Sequence, residues 1–237
     1  MAKTDEPDFE DQIKLAQSES VTQAFAKNHS ADGLADIGID AIDTTEAFLK
    51  RFYQEDPPDQ LLACVAGCTF CCHQYVGLSM PELAILTKYI NTNFSAEQKR
   101  DLIAHLSETL NATSGMSQFE RAASRIDCPL LDPASRQCTI YSARPLACRA
   151  MHSLDRDACE MDDATPGKNH AIPQYESHKG IVRSVAIGLQ LGIAESGIEP
   201  KEMELASALL KALSEPEAIE DWIKDQTEFD EAMVPEA

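Results

Sequence analysis

Eight cysteines carry the most distinctive chemistry in this sequence of 237 residues. Four of them lie close together, in the run Cys64-Val65-Ala66-Gly67-Cys68-Thr69-Phe70-Cys71-Cys72. Thiolates that converge from so short a stretch are typical of zinc knuckles and iron–sulfur loops. Gly67 allows a sharp turn and leaves amide groups free to face sulfur. The run therefore predicts a metal site, and its spacing alone leaves the choice of metal open.

Cys71 and Cys72 are adjacent, so their side chains start in different directions. We expect one of them to bind the main metal, while the other serves a neighbouring metal or acts as a redox thiol. The alternative, buried and inert thiols, explains scattered cysteines better than it explains this cluster.

A second set of cysteines, Cys128, Cys138 and Cys148, comes from separate turns and not from paired knuckles. A zinc ribbon normally shows two close pairs. Cys128 precedes Pro129, as the last cysteine of some ferredoxin runs precedes a proline. Both features favour iron over zinc without excluding zinc. Cys159 follows farther along the chain, and we leave it outside the predicted ligand set.

In this order the cysteine segments resemble the cysteine-cluster proteins named for a CxxCxxCC motif, also called YkgJ-type. The resemblance covers about residues 60–160 and depends on three stretches, 67–72, 128–132 and 138–149. It implies a zinc- or iron-chelating domain. The metal ligands that we predict are Cys64, Cys68, Cys71, Cys72, Cys128, Cys138 and Cys148. Cys64 stands four residues before Cys68, where the family motif usually has three.

Two enzyme classes offer alternatives. A flagellin lysine methylase with a similar cysteine arrangement suggests methyl transfer within the wider group. Cys64, Cys68 and Cys71 also fit the CxxxCxxC signature of radical S-adenosylmethionine enzymes. Those enzymes use a repeated strand–helix barrel, whereas this sequence has no such alternation, and the further cysteines would go unexplained.

Basic residues are concentrated near the cysteines. Between residues 121 and 156 there are six arginines and three aspartates. Positive charge lowers thiol pKa values, stabilises an anionic cluster and tends to raise its reduction potential. We predict that Arg144 and Arg149 face the cofactor and that the Tyr141 hydroxyl supports a thiolate.

Histidines offer additional ligands. His73 and His152 lie next to the cysteine segments and could bind metal. His178 is remote from the cysteines in sequence, and we expect it to be exposed.

The overall charge excludes several partners. Forty acidic and twenty basic residues give a net charge of −20, which repels nucleic acid and anionic membranes. The N-terminal residues lack the basic start and apolar stretch of a secretory signal. We therefore expect a soluble, cytoplasmic protein with reduced thiols, no nucleic-acid or membrane partner, and a redox partner protein.

Most of the remaining sequence indicates helix. Apolar spacing predicts helices near residues 11–28 and 39–53, and Pro57-Pro58 ends the second. Capping-box patterns at Ser79, Ser95 and Ser214 predict three more helix starts, the last for a helix that carries Trp222. A short helix is predicted over 117–125, a small hairpin within 129–141, and a loop over 155–173.

The fold class that we predict is mainly α, a helical domain wrapped around an irregular cysteine-rich metal centre with at most a small β-hairpin. Residues 1–58 would form an acidic tail and helix, 59–160 the cysteine-cluster domain, and 161–237 a helical extension packing on it. The predicted function is metal binding, through an iron–sulfur cluster or iron or alternatively zinc, in redox chemistry or electron transfer. The alternatives are a structural zinc or metal-carrier module and a redox or methyl-transferring enzyme.

Overall fold

The structure is a computed structural model that describes residues 8–55, 59–65, 67–168, 170–225 and 229–232. These residues form ten α-helices, which confirms the predicted mainly α class. The helices are α1 Phe9–Lys27, α2 Ala31–Glu55, α3 Met80–Asn93, α4 Ala96–Thr113, α5 Gln118–Ala123, α6 Leu146–Ala150, α7 Arg156–Ala164, α8 Glu176–Glu195, α9 Leu205–Ser214 and α10 Ala218–Asp225. Short 3₁₀ helices span Tyr141–Ala143 and Asp230–Ala232.

Helices α1 and α8 make the most extensive helix–helix contact in the described part of the chain. Two glycines of α8 permit this close approach. A Cβ at Gly188 would lie 2.5 Å from the Lys14 carbonyl oxygen, and one at Gly192 would lie 2.7 Å from that of Ser18. Such distances are shorter than van der Waals contact, so larger residues would push the two helices apart.

One hydrophobic core joins the helices. Helix α2 packs on α3 and α8, and α4 packs on α9. The largest fully buried side chains include Trp222 and Phe25. Burial of such side chains contributes roughly 1.5–3 kcal/mol each. None of the helices in the described part of the chain has the length and hydropathy needed to span a bilayer.

The only strands among the described residues are β1, Gly77–Leu78, and β2, Met203–Glu204. They pair in antiparallel fashion, with Gly77 opposite Glu204. The Leu205 amide extends the pairing by donating to the Val76 carbonyl, 3.0 Å away. This small sheet joins distant segments. The hairpin predicted within 129–141 is reduced to a single bridge between Leu131 and Cys138.

The capping-box prediction is confirmed at two sites and wrong at the third. Helices α3 and α4 begin directly after Ser79 and Ser95, each with a complete capping box. Ser214, in contrast, is the last residue of α9. Buried Leu209 and Ala212 hold this segment against the core, so tertiary packing extends the helix to Ser214. The next helix, α10, still carries Trp222 as predicted.

The loop predicted over 155–173 is also partly wrong, because it contains α7. The Asp155 side chain accepts hydrogen bonds from the amides of Asp157 and Ala158 and so caps this helix. The predicted helix over 117–125 is shorter than expected, and the predicted stop at Pro57-Pro58 lies outside the described residues. The three-part division at residues 58 and 160 stays a prediction.

Candidate metal centre

The first cysteine segment is a chain of turns between α2 and β1. The Cys68 amide donates to the Val65 carbonyl at 3.0 Å, and the Cys72 amide donates to the Thr69 carbonyl at 2.8 Å. Gly67 has a φ of +84°, a left-handed conformation that glycine adopts without strain. These turns replace regular secondary structure and bring the thiols of the segment near one another.

One backbone hydrogen bond joins the two cysteine segments. The Cys128 amide donates to the Cys72 carbonyl at 2.6 Å. Farther on, the Thr139 amide donates to the Leu130 carbonyl at 2.9 Å, which places Cys138 beside Cys128. Buried Leu130 anchors this loop in the core. The two segments, distant in sequence, therefore meet.

Cys148 lies on α6, which a buried carboxylate holds in place. Glu82 Oε1 accepts a hydrogen bond of 2.8 Å from the Leu146 amide, the first of α6. Glu82 Oε2 accepts from the Ser79 amide and hydroxyl at 2.8 and 2.7 Å. Burial raises the pKa of this carboxyl, and these hydrogen bonds oppose the rise. Glu82 thus fixes the start of α3 and the start of the cysteine-bearing helix together.

Arg149, also on α6, is buried and fully engaged with protein atoms. Its guanidinium pairs with Glu46 of α2 and donates to the carbonyl oxygens of Arg144 and Ser142. These contacts fix the turn that leads into Cys148. The nitrogens of Arg149 already have these partners in the protein. Its predicted role in cofactor binding stays a prediction.

Arg144 differs from Arg149. Its guanidinium carbon lies 4.3 Å from the centroid of the Tyr141 ring, a cation–π geometry. Its Nε is buried and has no hydrogen-bond partner among the described residues. Burial and neighbouring thiols raise the pKa values of Cys71, Cys138 and Cys148, and the charge of Arg144 opposes each rise, which places this side chain near the cysteines. Arg144 therefore offers a free donor near the thiols, and its predicted role in cofactor binding stays a prediction.

Cys64 and Cys159 meet at Ser153. The Ala63 amide donates to the Ser153 carbonyl at 2.8 Å, which holds the start of the first segment against the chain before α7. The Cys159 thiol shares a hydrogen bond with the Ser153 side chain. A cavity of about 60 Å³ lies here, and its lining includes the cysteines Cys64, Cys68, Cys71 and Cys159.

All eight cysteines are free thiols. Burial raises the pKa of Cys128 to about 11 and raises that of Cys148, where the thiols of Cys128, Cys71 and Cys138 add to the effect. A hydrogen bond with the Cys72 thiol is the main cause of the raised pKa of Cys71. Without metal these thiols are therefore protonated at neutral pH.

The donors fit a thiophilic metal in type, because thiolates select zinc, iron and iron–sulfur clusters. The thiols lie in one region, but their sulfur atoms do not surround a common point. Within the described ranges, no three His, Cys, Asp or Glu side chains are placed to hold a metal ion. The thiols are gathered, and metal binding would require them to turn toward a common centre.

The two candidate histidines are both buried. His73 Nε2 contacts the Arg125 guanidinium, and burial lowers the pKa of His73. His152 lines the cysteine cavity, but both of its nitrogens have backbone partners. Nδ1 lies 2.9 Å from the Ala150 carbonyl, and Nε2 accepts from the Tyr175 amide at 2.8 Å. Both nitrogens of His152 therefore have backbone partners, and Nε2 of His73 contacts Arg125.

His178 was expected to be exposed, and this prediction is wrong. The side chain is buried, with Nε2 3.0 Å from the Arg149 carbonyl and Nδ1 2.8 Å from the Tyr53 hydroxyl. Helix α8 presents it to the turn after α6, and a remote sequence position gave no sign of that contact.

Sequence reasoning also missed two other residues. The capping-box pattern identified Glu82 as a helix-start residue, but only the fold shows its bond to α6. Cys159 was set aside because the resemblance does not include it. The sequence feature that could have drawn attention to Cys159 is Asp155, four residues earlier. Asp155 caps the start of α7, and this helix places Cys159 in the cavity wall.

Comparison with known proteins agrees with the cysteine pattern. Residues 63–170 match the model of one family, described as "CxxCxxCC: Putative zinc- or iron-chelating domain". The match supports metal chelation by this part of the chain. No curated protein and no solved structure matches the sequence.

Proposed function

We propose that this chain binds an iron–sulfur cluster or iron through cysteine thiolates and uses it in redox chemistry or electron transfer. The match of residues 63–170 to the CxxCxxCC model supports metal chelation in general. The observation that carries the proposal is the hydrogen bond from the Cys128 amide to the Cys72 carbonyl. It brings together two segments that are both rich in cysteine and poor in regular structure, as in other thiolate-ligated sites.

The proposed ligands are the seven cysteines predicted from the sequence. They reach the site from the turns of the first segment, from the loop around the Leu131–Cys138 bridge and from α6. When bound, the metal would supply a redox-active centre and hold the thiols in their deprotonated form. The chain itself supplies the scaffold, through Glu82 and Arg149, and the charge, through Arg144.

Arg144 supports a redox role. Thiolate-ligated clusters are anionic, and hydrogen bonds to sulfur together with nearby positive charge raise their reduction potentials. The free Nε of Arg144 lies in the part of the structure where the charge of this side chain reaches three thiols. Cys64 and Cys71 are exposed, so electrons could be exchanged with a partner protein at this surface.

The size of the cavity beside the cysteines favours electron transfer over turnover of a small-molecule substrate. Its volume of about 60 Å³ is well below the roughly 300–1,000 Å³ of ordinary ligand pockets. The enzyme alternatives, redox catalysis and methyl transfer, would need more space beside the metal than this cavity offers.

A structural zinc or metal-carrier module is the second candidate. The observation in its favour is that local turns such as Cys72-to-Thr69 and Leu131-to-Cys128 provide much of the backbone bonding around the cysteines. Zinc often stabilises such irregular loops. In that case the metal would contribute to folding and would carry no electrons.

Anaerobic purification followed by iron, acid-labile sulfide and zinc analysis tests the proposal. We expect a brown protein that contains iron and sulfide, and lower metal content in Cys68→Ser and Cys148→Ser. Ala147→Ser is the matched control, because Ala147 is exposed and precedes Cys148 on α6. A colourless protein with zinc would support the structural candidate. Unchanged metal content in both cysteine variants would exclude metal binding at these residues.

A further inference from the structure

The eight cysteines separate into two groups of four by position. Cys64, Cys68, Cys71 and Cys159 all line the cavity of about 60 Å³, together with His152 and Asp162. The other four cysteines do not contribute to its lining. This grouping cuts across the sequence order, because it separates Cys71 from Cys72 and joins Cys159 to the first segment.

Helix α7, which places Cys159 in the cavity wall, is hydrogen-bonded at its start and near its end. Asp155 caps its start through hydrogen bonds of 2.8 Å from the Asp157 amide and 3.2 Å from the Ala158 amide. Near its end, Arg125 donates to both the carbonyl and the carboxylate of Asp162. Cys159 lies between these two anchors, one helical turn after the cap.

The second group is Cys72, Cys128, Cys138 and Cys148. Cys72 and Cys128 are joined through their backbones, and Cys138 lies across the loop from Cys128. The thiols of Cys128, Cys71 and Cys138 are all close enough to Cys148 to raise its pKa. The second group therefore brings together thiols from three separate segments, and Cys71 lies at the border between the two groups.

The two groups adjoin at Cys71 and Cys72, whose thiols contact each other. Each group also has an arginine close by. Arg156 lies over the Phe70 ring at 5.5 Å, and nearby Cys68 contributes to the raised pKa of Arg156, while Arg144 lies near Cys138 and Cys148. Four thiolates give a complete coordination shell for zinc, iron or a cluster, and one cation beside each shell offsets part of its negative charge.

We propose that the chain holds two adjacent metal centres, one bound by Cys64, Cys68, Cys71 and Cys159 and the other by Cys72, Cys128, Cys138 and Cys148. The proposal rests on the proposed function and deepens it, by adding Cys159 as a ligand and by assigning the adjacent Cys71 and Cys72 to different centres. It accounts for all eight cysteines, whereas a single centre with four ligands leaves half of them without a role.

Metal-dependent alkylation tests the role of Cys159 in the unaltered full chain. The reduced protein is divided into a Zn²⁺-loaded sample and a chelator-treated sample, and each receives a short pulse of iodoacetamide. Mass spectrometry then gives the modified fraction at every cysteine. We expect Zn²⁺ to protect Cys159 at least tenfold, to the same extent as Cys68. Equal labelling of Cys159 with and without Zn²⁺ would overturn its assignment as a ligand.

Stoichiometry tests the division into two centres. We expect two Zn²⁺ per wild-type chain, one in Cys159→Ser and one in Cys138→Ser. Met161→Ser is the control on α7, because Met161 is exposed and should leave both metals in place. One Zn²⁺ in the wild type, or full content in Cys159→Ser, would overturn the two-centre arrangement. Failure of metal binding itself would look different, since the wild type would then bind no Zn²⁺ at all. A wild type that binds two Zn²⁺ but yields no iron or sulfide on anaerobic purification would contradict the redox proposal and leave the two centres in place.

Discussion

The imidazole rings of His152 and His178 stack on each other, with centroids 4.0 Å apart and planes tilted by 27°. Each ring has one nitrogen facing a carbonyl oxygen, which can only accept, so that nitrogen carries the proton. The other nitrogen accepts, from the Tyr175 amide in one ring and from the Tyr53 hydroxyl in the other. The hydrogen bond from the Tyr175 amide leaves no place for a second proton on His152, and burial favours the neutral form of both rings.

Acid should destabilise the fold through this pair. Burial lowers the pKa of both histidines below the ordinary value of 6.5. Between the lowered values and 6.5 the unfolded chain binds more protons than the folded one, so the free energy of unfolding falls as pH falls through that window. Above pH 6.5 the contribution is constant. Urea denaturation at a series of pH values from 7.5 to 5.5 measures how steeply the free energy of unfolding depends on pH.

The control for the histidine pair compares two variants. His178→Gln should flatten the dependence of stability on pH below 6.5, whereas His105→Gln, at an exposed position of α4, should not. Since carboxylates and thiols contribute equally in both variants, only the difference between the slopes is informative. Identical slopes in wild type and His178→Gln would contradict a buried neutral pair.

Glu82→Ala should destabilise the protein by about 2 kcal/mol or more, because it leaves the buried amides of Leu146 and Ser79 without acceptors. Glu120→Ala is a matched control. Glu120 makes the same pair of bonds to Ser117 but is exposed, so its loss should cost about 1 kcal/mol or less. Chemical denaturation of the two variants gives the comparison. Equal losses would mean that the bond to α6 adds nothing.

Arg149→Met should lower the free energy of unfolding by about 3 kcal/mol, since two carbonyl oxygens and Glu46 lose a buried charged partner. Arg51→Met on α2 removes an exposed arginine paired with Glu55 and should change stability by about 0.5 kcal/mol or less. We also expect Arg149→Met to lower metal content, because Arg149 shapes the turn before Cys148. Thermal or urea unfolding of both variants decides the first point, and metal analysis decides the second.

Metal removal should loosen the cysteine segments and leave the helical core intact. The amides of Cys128 and Ala63 are suitable reporters, since their acceptors lie on other cysteine-bearing segments. We expect chelation to speed hydrogen exchange at both, with little change at buried Leu189 of α8. Loss of most helical circular dichroism on chelation would show instead that the metal holds the whole fold together.

Local signals predicted the helices well and the contacts of the cysteines less well. Ser79 and Ser95 begin helices because a capping box depends only on residues three positions apart. The helix start predicted at Ser214 was wrong, because packing of Leu209 and Ala212 against the core outweighed the local capping pattern. The cysteine spacing indicated a metal site, but the neighbours of Cys159 depend on how α7 lies against the first segment, and that is a tertiary property.

The pairing of β1 with β2 has a consequence for how the chain could be divided. Gly77 and Leu78 follow the first cysteine segment closely, yet their partners Glu204 and Met203 lie beyond the matched residues 63–170. The segment that matches the family model therefore contains one strand of the sheet and lacks the other. A cut at the turn of Gly115, which has a φ of +75° and open space around it, would put the two paired strands on different fragments, just as a cut near residue 170 would. The two fragments would then be joined by the pairing of β1 with β2 and by the helix packing across the core.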